Sequence, residues 1–238
     1  MKIRIKFRKY GVMKFVGHLD IMRYFQKAVR RANIDICYSE GFSPHQIMSF
    51  AAPLGVGITS DGEYLDIEVH STESTEKMLD ALNAVMVEGV EITGYVRLAD
   101  NAKTAMSIVA AADYRLFFKK GYEVPFTKSE AAQAVRDYFE TPSEVLITKQ
   151  TKKSEKVMDI KQLVYDFKVE GTEEAPEFYL NLSTGSSDNL KPELVLESLF
   201  GYMGIPYNEC AIQIHRIDVY AKENDRFVSL LELGEVIA

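Results

Sequence analysis

The chain starts with the segment KIRIKFR at residues 2–8, in which cationic and apolar side chains alternate. A period of two is that of a β-strand with one buried face, so the segment predicts a strand that buries Ile3, Ile5 and Phe7. Alternate side chains on a strand lie about 6.6 Å apart on the same face. The other face is therefore predicted to carry one row of four cations, Lys2, Arg4, Lys6 and Arg8.

A second cationic row follows in residues 19–32, where apolar residues recur at three- and four-residue steps. This spacing predicts an amphipathic helix. Its predicted inner stripe consists of Leu19, Met22, Phe25, Ala28, Val29 and Ala32. Its opposite side is predicted to carry Arg23, Lys27, Arg30 and Arg31.

Charge is divided unevenly along the chain. The first 31 residues hold ten Lys or Arg and one acid, Asp20, whereas the whole chain of 238 residues holds 28 bases and 35 acids. Residues 32–238 therefore hold 18 bases and 34 acids. A row of cations at strand spacing suits a phosphate chain, and the acidic remainder suits contact with a protein. An ordinary solvent-exposed strand face is the alternative interpretation of the alternation.

The length allows one large domain or two of ordinary size. The two cysteines, Cys37 and Cys210, are far apart in sequence, which favours a reducing compartment over a disulfide framework. No apolar run approaches the roughly 20 residues needed to span a bilayer. No uninterrupted hydrophobic segment follows the basic N-terminal residues, so a signal peptide is not indicated. We therefore expect a cytoplasmic protein with no membrane association.

The first half of the chain predicts the order strand, helix, strand, strand, helix, strand. The predicted strands are residues 2–8, 12–16, 34–38, 47–52, 64–69 and 90–98, and the predicted helices are residues 19–32 and 75–86. This order, with one elaborated hairpin, is that of a ferredoxin-like βαββαβ sandwich.

The second half predicts the same order. Its predicted strands are residues 107–119, 145–148, 163–169, 178–182 and 212–220, and its predicted helices begin after a capping box at Thr127 and Glu130 and at Pro192. The charged run within residues 149–161 is interpreted as a solvated turn. The predicted fold class is thus α+β: two tandem ferredoxin-like sandwiches with mostly antiparallel sheets, a basic domain at 1–102 and an acidic domain at 103–238.

Three connections are rich in Gly, Pro and polar residues: GHLD at 17–20, SEGFSPH at 39–45 and PLGVG at 53–57. Loops of this composition hold a fixed backbone and often carry binding groups. His18 and His45 are candidates for a general base and acid acting on a ribose hydroxyl or a phosphate. Alternatively, His18 hydrogen-bonds the backbone at a helix start with Asp20 as N-cap, while Ser43 and His45 contact phosphate or base.

Signatures of other chemistries are missing from the sequence. The four histidines show no metal-ligand spacing with one another or with cysteine, so no metal is predicted. The pattern of a Walker phosphate-binding loop does not occur, and GVG at 55–57 lacks the remainder of a dinucleotide fingerprint. No serine elbow or local Cys–His motif indicates covalent catalysis.

The motifs GHLD (17–20), YSEGFSPH (38–45), PLGV (53–56) and GEYLD (62–66) together resemble the family of radical-SAM-linked proteins. Residues 159–161 and 214–216 are looser similarities. Gln46 stands where that family often has a second proline. Members occur as a separate chain or as an extension of a radical-SAM protein with a cobalamin-binding-like domain. The resemblance therefore implies a physical partnership with a radical-SAM protein.

This chain has too few cysteines for the three thiolates of a radical-SAM iron–sulfur cluster. Cluster, SAM and cobalamin are therefore expected only through the partner, and none in this chain. The function predicted from the sequence is that of an accessory, non-catalytic RNA-binding protein that presents an RNA substrate to the radical-SAM enzyme. Two alternatives stay open: a protein adaptor that docks on the partner without RNA, and an RNA- or nucleotide-processing enzyme that uses His18 and His45. The predicted nucleic-acid-binding residues are Lys2, Arg4, Lys6, Arg8, Arg23, Lys27, Arg30, Arg31, Ser43 and His45.

Overall fold

The alternation at residues 2–8 produces strand β1, Lys2–Lys9, whose three apolar side chains are buried. The computed structural model describes residues 1–150, 155–185 and 188–238 of the chain. These form two compact units, one of Met1–Ala111 with Arg216–Ala238 and one of Ala112–His215. The fold is α+β, and most of the strand pairs are antiparallel.

The first unit contains both predicted helices and most of the predicted strands, in the predicted order. After β1 its elements are α1 (His18–Arg31), β2 (Met48–Phe50), β3 (Thr59–Glu68), α2 (Thr75–Asn83), β4 (Val90–Arg97) and a short helix α3 (Ala105–Ile108). Strand β5 (Val109–Phe118) begins in this unit, and β10 (Ile212–Glu223) ends in it, followed by β11 (Arg226–Ser229) and a 3₁₀ helix at Leu230–Leu233.

The strand order in the first unit is β4-β1-β3-β10, with β2 also paired to β3 and β11 to β10. The apolar face of β1 packs against α1 and α2. Phe25 and Val29 of α1 and Leu82 of α2 are fully buried in this core. Helix α1 ends at Arg31, and Asn33 takes a left-handed conformation (φ 54°), which is a common way to terminate a helix.

Two predicted strands of the first unit are corrected by the structure. Residues 12–16 do not form a strand, because Gly11 adopts a positive φ of 55° and Met13 N–H donates to the Tyr10 carbonyl, which winds Gly11–Phe15 into a 3₁₀ helix. Residues 34–38 make only isolated bridges, from Ile36 to Val69 and from Tyr38 to Gln46.

Helix α1 also departs from prediction at its first turn. The N-cap is Gly17, and Asp20 lies inside the first turn instead of capping it. Leu19 is predicted on the buried stripe but is 62% exposed. The buried positions of α1 are Ile21, Phe25, Ala28 and Val29.

The second unit follows the predicted order and adds one strand. Its elements are α4 (Lys128–Val135, continued by a π-helical turn at Arg136–Glu140), β6 (Leu146–Gln150), β7 (Glu155–Asp159), β8 (Val164–Gly171), β9 (Pro176–Ser183) and α5 (Pro192–Tyr202). The capping box at Thr127 and Glu130 is present. The strand order is β10-β5-β9-β8, and β6 and β7 form a separate antiparallel hairpin. Of the predicted solvated turn, residues 151–154 lie outside the described residues.

The compact units divide the chain differently from the predicted boundary at residue 102. Residues 103–111 and 216–238, which the sequence assigned to the second domain, belong to the first unit. Backbone pairing explains this for the C-terminal segment, because Arg97 and Glu235 exchange two hydrogen bonds. Ala105 N–H likewise donates to the Asp66 carboxylate at 2.6 Å.

Candidate nucleic-acid interface

The outer face of α1 presents the predicted cations to solvent. Arg23, Lys27, Arg30 and Arg31 are all exposed. Arg23 lies 3.4 Å from the Asp20 carboxylate in an exposed pair, which holds the guanidinium only weakly. Arg30 and Arg31 donate to main-chain carbonyls, and among the described residues neither is paired with a carboxylate. Lys27 has no carboxylate partner within the described parts of the chain.

The cations of β1 have a different environment. Arg4 is only 1% exposed and makes two hydrogen bonds, of 2.8 and 3.0 Å, to the Asp66 carboxylate. Lys6 donates to Asp218 at 2.8 Å. Of the predicted nucleic-acid-binding residues on β1, Arg4 is therefore buried and Lys6 is largely covered.

The row is covered because the chain returns over this face. Arg4 donates a third hydrogen bond, of 3.1 Å, to the Leu230 carbonyl of the C-terminal 3₁₀ helix. A Cβ atom on Gly94, beside Lys6, would lie 2.7 Å from the Leu231 side chain, so this cover is tight.

The two ends of the β1 row are more accessible. Arg8 is about 41% exposed and lies between the carboxylates of Asp61 and Glu91, at 2.7 and 3.1 Å. The hydrogen bond that Arg8 donates to the Asp61 carboxylate raises the pKa of Arg8 above its usual value. Lys2 donates to the Ala102 carbonyl at 3.0 Å. Arg4, Lys6 and Arg8 thus each have a carboxylate partner, and they contribute little net positive charge.

The loop at residues 39–45 is closed by hydrogen bonds between its two ends, and the residue that follows it contacts α1. The hydroxyl oxygen of Ser39 accepts from His45 N–H at 3.1 Å and lies 2.8 Å from the His45 Nδ1, while Ser39 N–H donates to the His45 carbonyl. Gln46, which follows the loop, donates through its side chain to the Gln26 carbonyl of α1 at 3.3 Å. Phe42 at the tip of the loop is fully exposed, and the neighbouring Ser43 is also exposed.

His18 and His45 occupy different settings. His18 is the first residue of α1, and its ring meets Phe50 edge-on at 5.3 Å. His45 is exposed and holds its own loop through Ser39. No hydrogen bond joins the two histidines in the described part of the chain. A shared role in proton transfer therefore stays a prediction without geometric support.

Exposed apolar side chains adjoin the start of α1. Val12, Phe15, Leu19 and Val56 are each more than 60% exposed. Gly57 N–H donates to the Lys14 carbonyl at 2.8 Å, so the loop that carries Val56 lies on the 3₁₀ helix that carries Val12 and Phe15. A group of exposed apolar side chains is typical of an interaction surface.

A narrow pocket beside His18 contains charged groups that sequence reasoning missed. The Lys9 pocket, as we name it, is lined by Phe7, Lys9, His18, Phe50, Leu54 and Glu63. Lys9 and Glu63 are 2% and 5% exposed. Arg216 holds Glu63 through both carboxylate oxygens and donates a further hydrogen bond, of 2.8 Å, to the Ala52 carbonyl.

The electrostatics of this pocket are unusual for a surface feature. Burial lowers the pKa of the Lys9 ammonium below its usual value, while the Glu63 carboxylate opposes that shift and Arg216 adds to it. A signal for the site was present in the sequence, because GHLD, PLGV and GEYLD supply His18, Leu54 and Glu63, and the segment 214–216 supplies Arg216. The motifs are separate in sequence but meet here.

Nothing in the described residues is arranged as a metal centre: no group of three or more His, Cys, Asp or Glu side chains is placed to hold an ion. Cys37 and Cys210 are free thiols. In the same described residues, no helix is long and apolar enough to cross a membrane.

The fold and site thus define an α+β protein with a cationic helix and a shaped loop on one unit. Residues 2–192 match the family described as "Uncharacterized protein conserved in bacteria (DUF2344)", and the chain belongs to that family. No curated protein matches the chain.

Two solved structures show a distant likeness to the chain. "Crystal Structure of a Cbf5-Nop10-Gar1 Complex" contains a chain that is 11% identical with a TM-score of 0.48, over 96% of this chain and 52% of that one. This chain therefore spans about half the length of that one. An unknown protein from Galdieria sulphuraria is 12% identical with a TM-score of 0.24, over 90% of this chain and 96% of that one.

Proposed function

We propose that this chain is a non-catalytic RNA-binding protein that presents a single-stranded RNA to a radical-SAM enzyme. The observation that carries the proposal is the position of the cationic face of α1 next to the loop whose tip is the fully exposed Phe42. Cations that follow the backbone, together with rings on which bases stack, are the two parts of a single-strand binding surface.

The cationic part of this surface is the α1 row, which we define as Arg23, Lys27 and Arg30. Arg23 and Lys27 lie one helical turn apart, as do Lys27 and Arg30, so the three charges share one side of the helix. Their side chains are exposed, and among the described residues the carboxylate paired with any of them is that of Asp20, which lies beside Arg23. Three phosphates can be neutralised along such a row, and the released counterions provide most of the affinity.

The stacking part is supplied by the loop at residues 38–45. Tyr38 is about half exposed and Phe42 is fully exposed. An isolated phenylalanine ring in water gains nothing for folding, whereas it stabilises a complex when a base covers it. The hydrogen bonds between Ser39 and His45 keep the loop ordered before RNA binds, which lowers the entropy cost of association. Ser43 and His45 keep their predicted role as polar contacts.

The partnership with a radical-SAM protein rests on the resemblance of the motifs at residues 17–66 to the radical-SAM-linked family. In this proposal the partner supplies the cluster, SAM and cobalamin, and this chain supplies the RNA. The strand orders β4-β1-β3, with β2 beside β3, and β10-β5-β9-β8 support the proposal that each unit is a ferredoxin-like sandwich.

The test is an anisotropy titration of a fluorescein-labelled 12-nucleotide RNA with the full chain at 50 and 200 mM salt. The variant R23E/K27E/R30E is expected to bind at least tenfold more weakly, because three favourable interactions with phosphate become repulsive. A matched control, K120E/K191E/R226E, reverses three exposed cations elsewhere and is expected to change the affinity less than threefold. Equal RNA affinity of the first variant and the wild type would contradict the proposal.

A second candidate function, that of a protein adaptor without RNA, is favoured by the exposed apolar side chains of Val12, Phe15, Leu19 and Val56. Such a patch suits a protein partner better than a phosphate chain. Replacement of Phe15 and Leu19 by Ser separates the candidates: loss of co-purification with the radical-SAM protein, with RNA affinity retained, would assign the patch to protein docking.

A further inference from the structure

Strand β8 of the second unit is an edge strand with one open side. Among the described residues it pairs with β9 alone, along its whole length from Val164 to Gly171. Every second N–H and C=O group of an edge strand points away from the sheet and lacks a ladder partner. The edge strand β4 of the first unit differs, because its Arg97 exchanges two backbone hydrogen bonds with Glu235. The open side of β8 is therefore able to pair with a further strand.

The lysine in the middle of β8 does not block this open side. Edge strands often carry a Lys that prevents pairing with another chain. The ammonium of Lys168, however, forms an ion pair with Asp166 of the same strand and lies 5.4 Å from the ring centre of Tyr179. Tyr179 is directly opposite Lys168 on β9. The side chain thus lies over the neighbouring strand and leaves the outer side of β8 accessible.

An open groove of about 450 Å³ runs between β8 and helix α4. Ala132, Val135 and Arg136 line it from one side of the helix. Phe167 and Val169, which are alternate residues on one face of the strand, line it from β8. The volume lies in the range of clefts that bind ligands. A chain that lies along β8 would therefore find apolar walls for every second side chain.

The helix side of the groove carries a cation that is not neutralised by an acid. Arg136 is exposed and donates to the side-chain oxygen of Gln133 at 2.6 Å. Within the part of the chain that the structure describes, Arg136 has no carboxylate partner. An acidic side chain of a bound segment is complementary to this charge.

We propose that the open side of β8 binds an extended segment of a partner protein, which adds a strand to the sheet, places apolar side chains in the groove and sets an acidic one beside Arg136. The unpaired backbone groups select this occupant, because an extended polypeptide carries N–H and C=O groups at the period of the strand. A nucleic acid lacks such a ladder. The inference therefore goes beyond the proposed RNA binding and does not depend on it.

The test measures binding of fluorescein-labelled heptapeptides to the full chain. The probes have the sequence TxTETxT, with Val, Ile, Leu or Phe at x, so that two apolar residues and one acid share a face. Each is paired with an analogue that is N-methylated at its internal residues, which keeps the side chains and removes the N–H donors. At least one probe is expected to bind about tenfold or more tightly than its analogue, because main-chain hydrogen bonds supply the affinity in strand addition. Equal binding of every pair, or binding of no probe, would overturn the proposal.

Two variants test the groove. Ala132→Trp fills it and should weaken binding of the best probe about fivefold or more, whereas Gln133→Trp, an exposed position on the same helix outside the groove, should change it less than about twofold. Arg136→Glu should weaken binding of this probe and strengthen that of its TxTKTxT counterpart, since the charge at the groove is reversed. Unchanged affinities in both A132W and R136E would contradict the assignment of the groove.

Hydrogen exchange provides a readout that needs no variant. The best probe is expected to slow exchange at every second amide of residues 164–171, namely those directed away from β9. Unchanged exchange along this strand would overturn strand addition. Light scattering of the protein alone is expected to show a monomer, and a dimer that A132W dissolves would assign the edge to a second copy of the chain instead. R23E/K27E/R30E should bind the peptide like wild type, so failure of RNA binding and failure of strand addition are separate results.

Discussion

The four cations of β1 and the four cations of α1 are each predicted to line one face of their element, but their surroundings in the structure differ. The row on β1 meets carboxylates from distant segments: Asp66 and Asp61 of β3, Asp218 of β10 and Glu91 of β4. The row on α1 meets only Asp20, in an exposed pair, among the described residues. The first row is therefore part of the internal electrostatics of the unit, while the second is available to a ligand.

The difference shows that a charge pattern indicates a surface only when the acids near it in space are also known. In a chain with 34 acids after residue 31, a strand at the centre of a sheet is flanked by neighbours that supply some of them. A helix on the outside of the same unit has fewer neighbours. Its cations consequently have fewer acidic partners and stay available to a ligand.

The largest expected effect is on stability. Arg4→Met leaves the Asp66 carboxylate buried without its guanidinium and should lower the free energy of unfolding by about 3–5 kcal/mol, measured by urea denaturation. Lys27→Met on α1 should change the stability by less than about 0.5 kcal/mol. The double variant R4M/D66M is expected to regain part of the stability, because it removes both charges. Equal stability of R4M and K27M would contradict the claim that the β1 cation, unlike the α1 cation, stabilises the unit.

The next effect is on the salt dependence of RNA binding. Removal of one cation that binds a phosphate should reduce the slope of log affinity against log salt by about 0.7. Lys27→Gln is expected to show this reduction, whereas Arg8→Gln on β1 should leave the slope within error, since Arg8 already has two carboxylate partners. Slopes measured for both variants between about 50 and 300 mM salt show which of the two cations contacts a phosphate. An equal reduction for Arg8→Gln would assign the β1 row to the interface.

A smaller effect concerns Lys9, which follows the β1 row. Because burial lowers its pKa in the folded state, the unfolded chain binds more protons between the folded-state pKa and the unfolded value near 10.4. The stability of wild type relative to Lys9→Met should therefore rise as the pH increases through this window. Urea denaturation of both proteins at pH 7.5 and 9.5 checks the sign, and a relative loss of stability at the higher pH would contradict it.

The smallest effect is expected at Asp20. Asp20→Asn removes the acid next to Arg23 and should raise RNA affinity about twofold, because the pair is exposed and screened. The same change removes a favourable charge from the first turn of α1, so a loss of a few tenths of a kcal/mol in stability should accompany it. Anisotropy and thermal melts report the two outcomes. A decrease in RNA affinity would show that Asp20 itself contacts the ligand.

Local patterns predicted the elements that depend on neighbours in sequence. The alternation of residues 2–8, the helical spacing of residues 19–32 and the capping box at Thr127 and Glu130 each appear in the structure. Each depends on side-chain periodicity or on hydrogen bonds within one turn. The short 3₁₀ helix at Gly11–Phe15 was missed, because a single positive φ at Gly11 decides it.

The candidate site was less predictable, since it depends on contacts between distant residues. Exposure of the α1 cations was foreseen correctly, while the burial of Arg4 depends on the arrival of Asp66 and Leu230. Lys9 was not singled out as a site residue, although its ammonium donates a hydrogen bond to the Val16 carbonyl and lies beside Glu63. Lys9 nevertheless has the same parity as Ile3, Ile5 and Phe7, so the alternation of residues 2–8, continued by one residue, already places it on the buried face of β1.

The return of residues 216–238 to the first unit has a consequence for biosynthesis. Lys6 lies 212 residues before its partner Asp218, so at about 5–20 residues per second the ribosome adds the partner roughly 10 to 40 s after the strand itself. Throughout that interval Lys6 lacks its carboxylate partner, whereas the partners of Arg4 and Arg8, at residues 61, 66 and 91, join the chain earlier. The second unit, Ala112–His215, is by then fully synthesised. The unit that is started first is thus expected to be completed last.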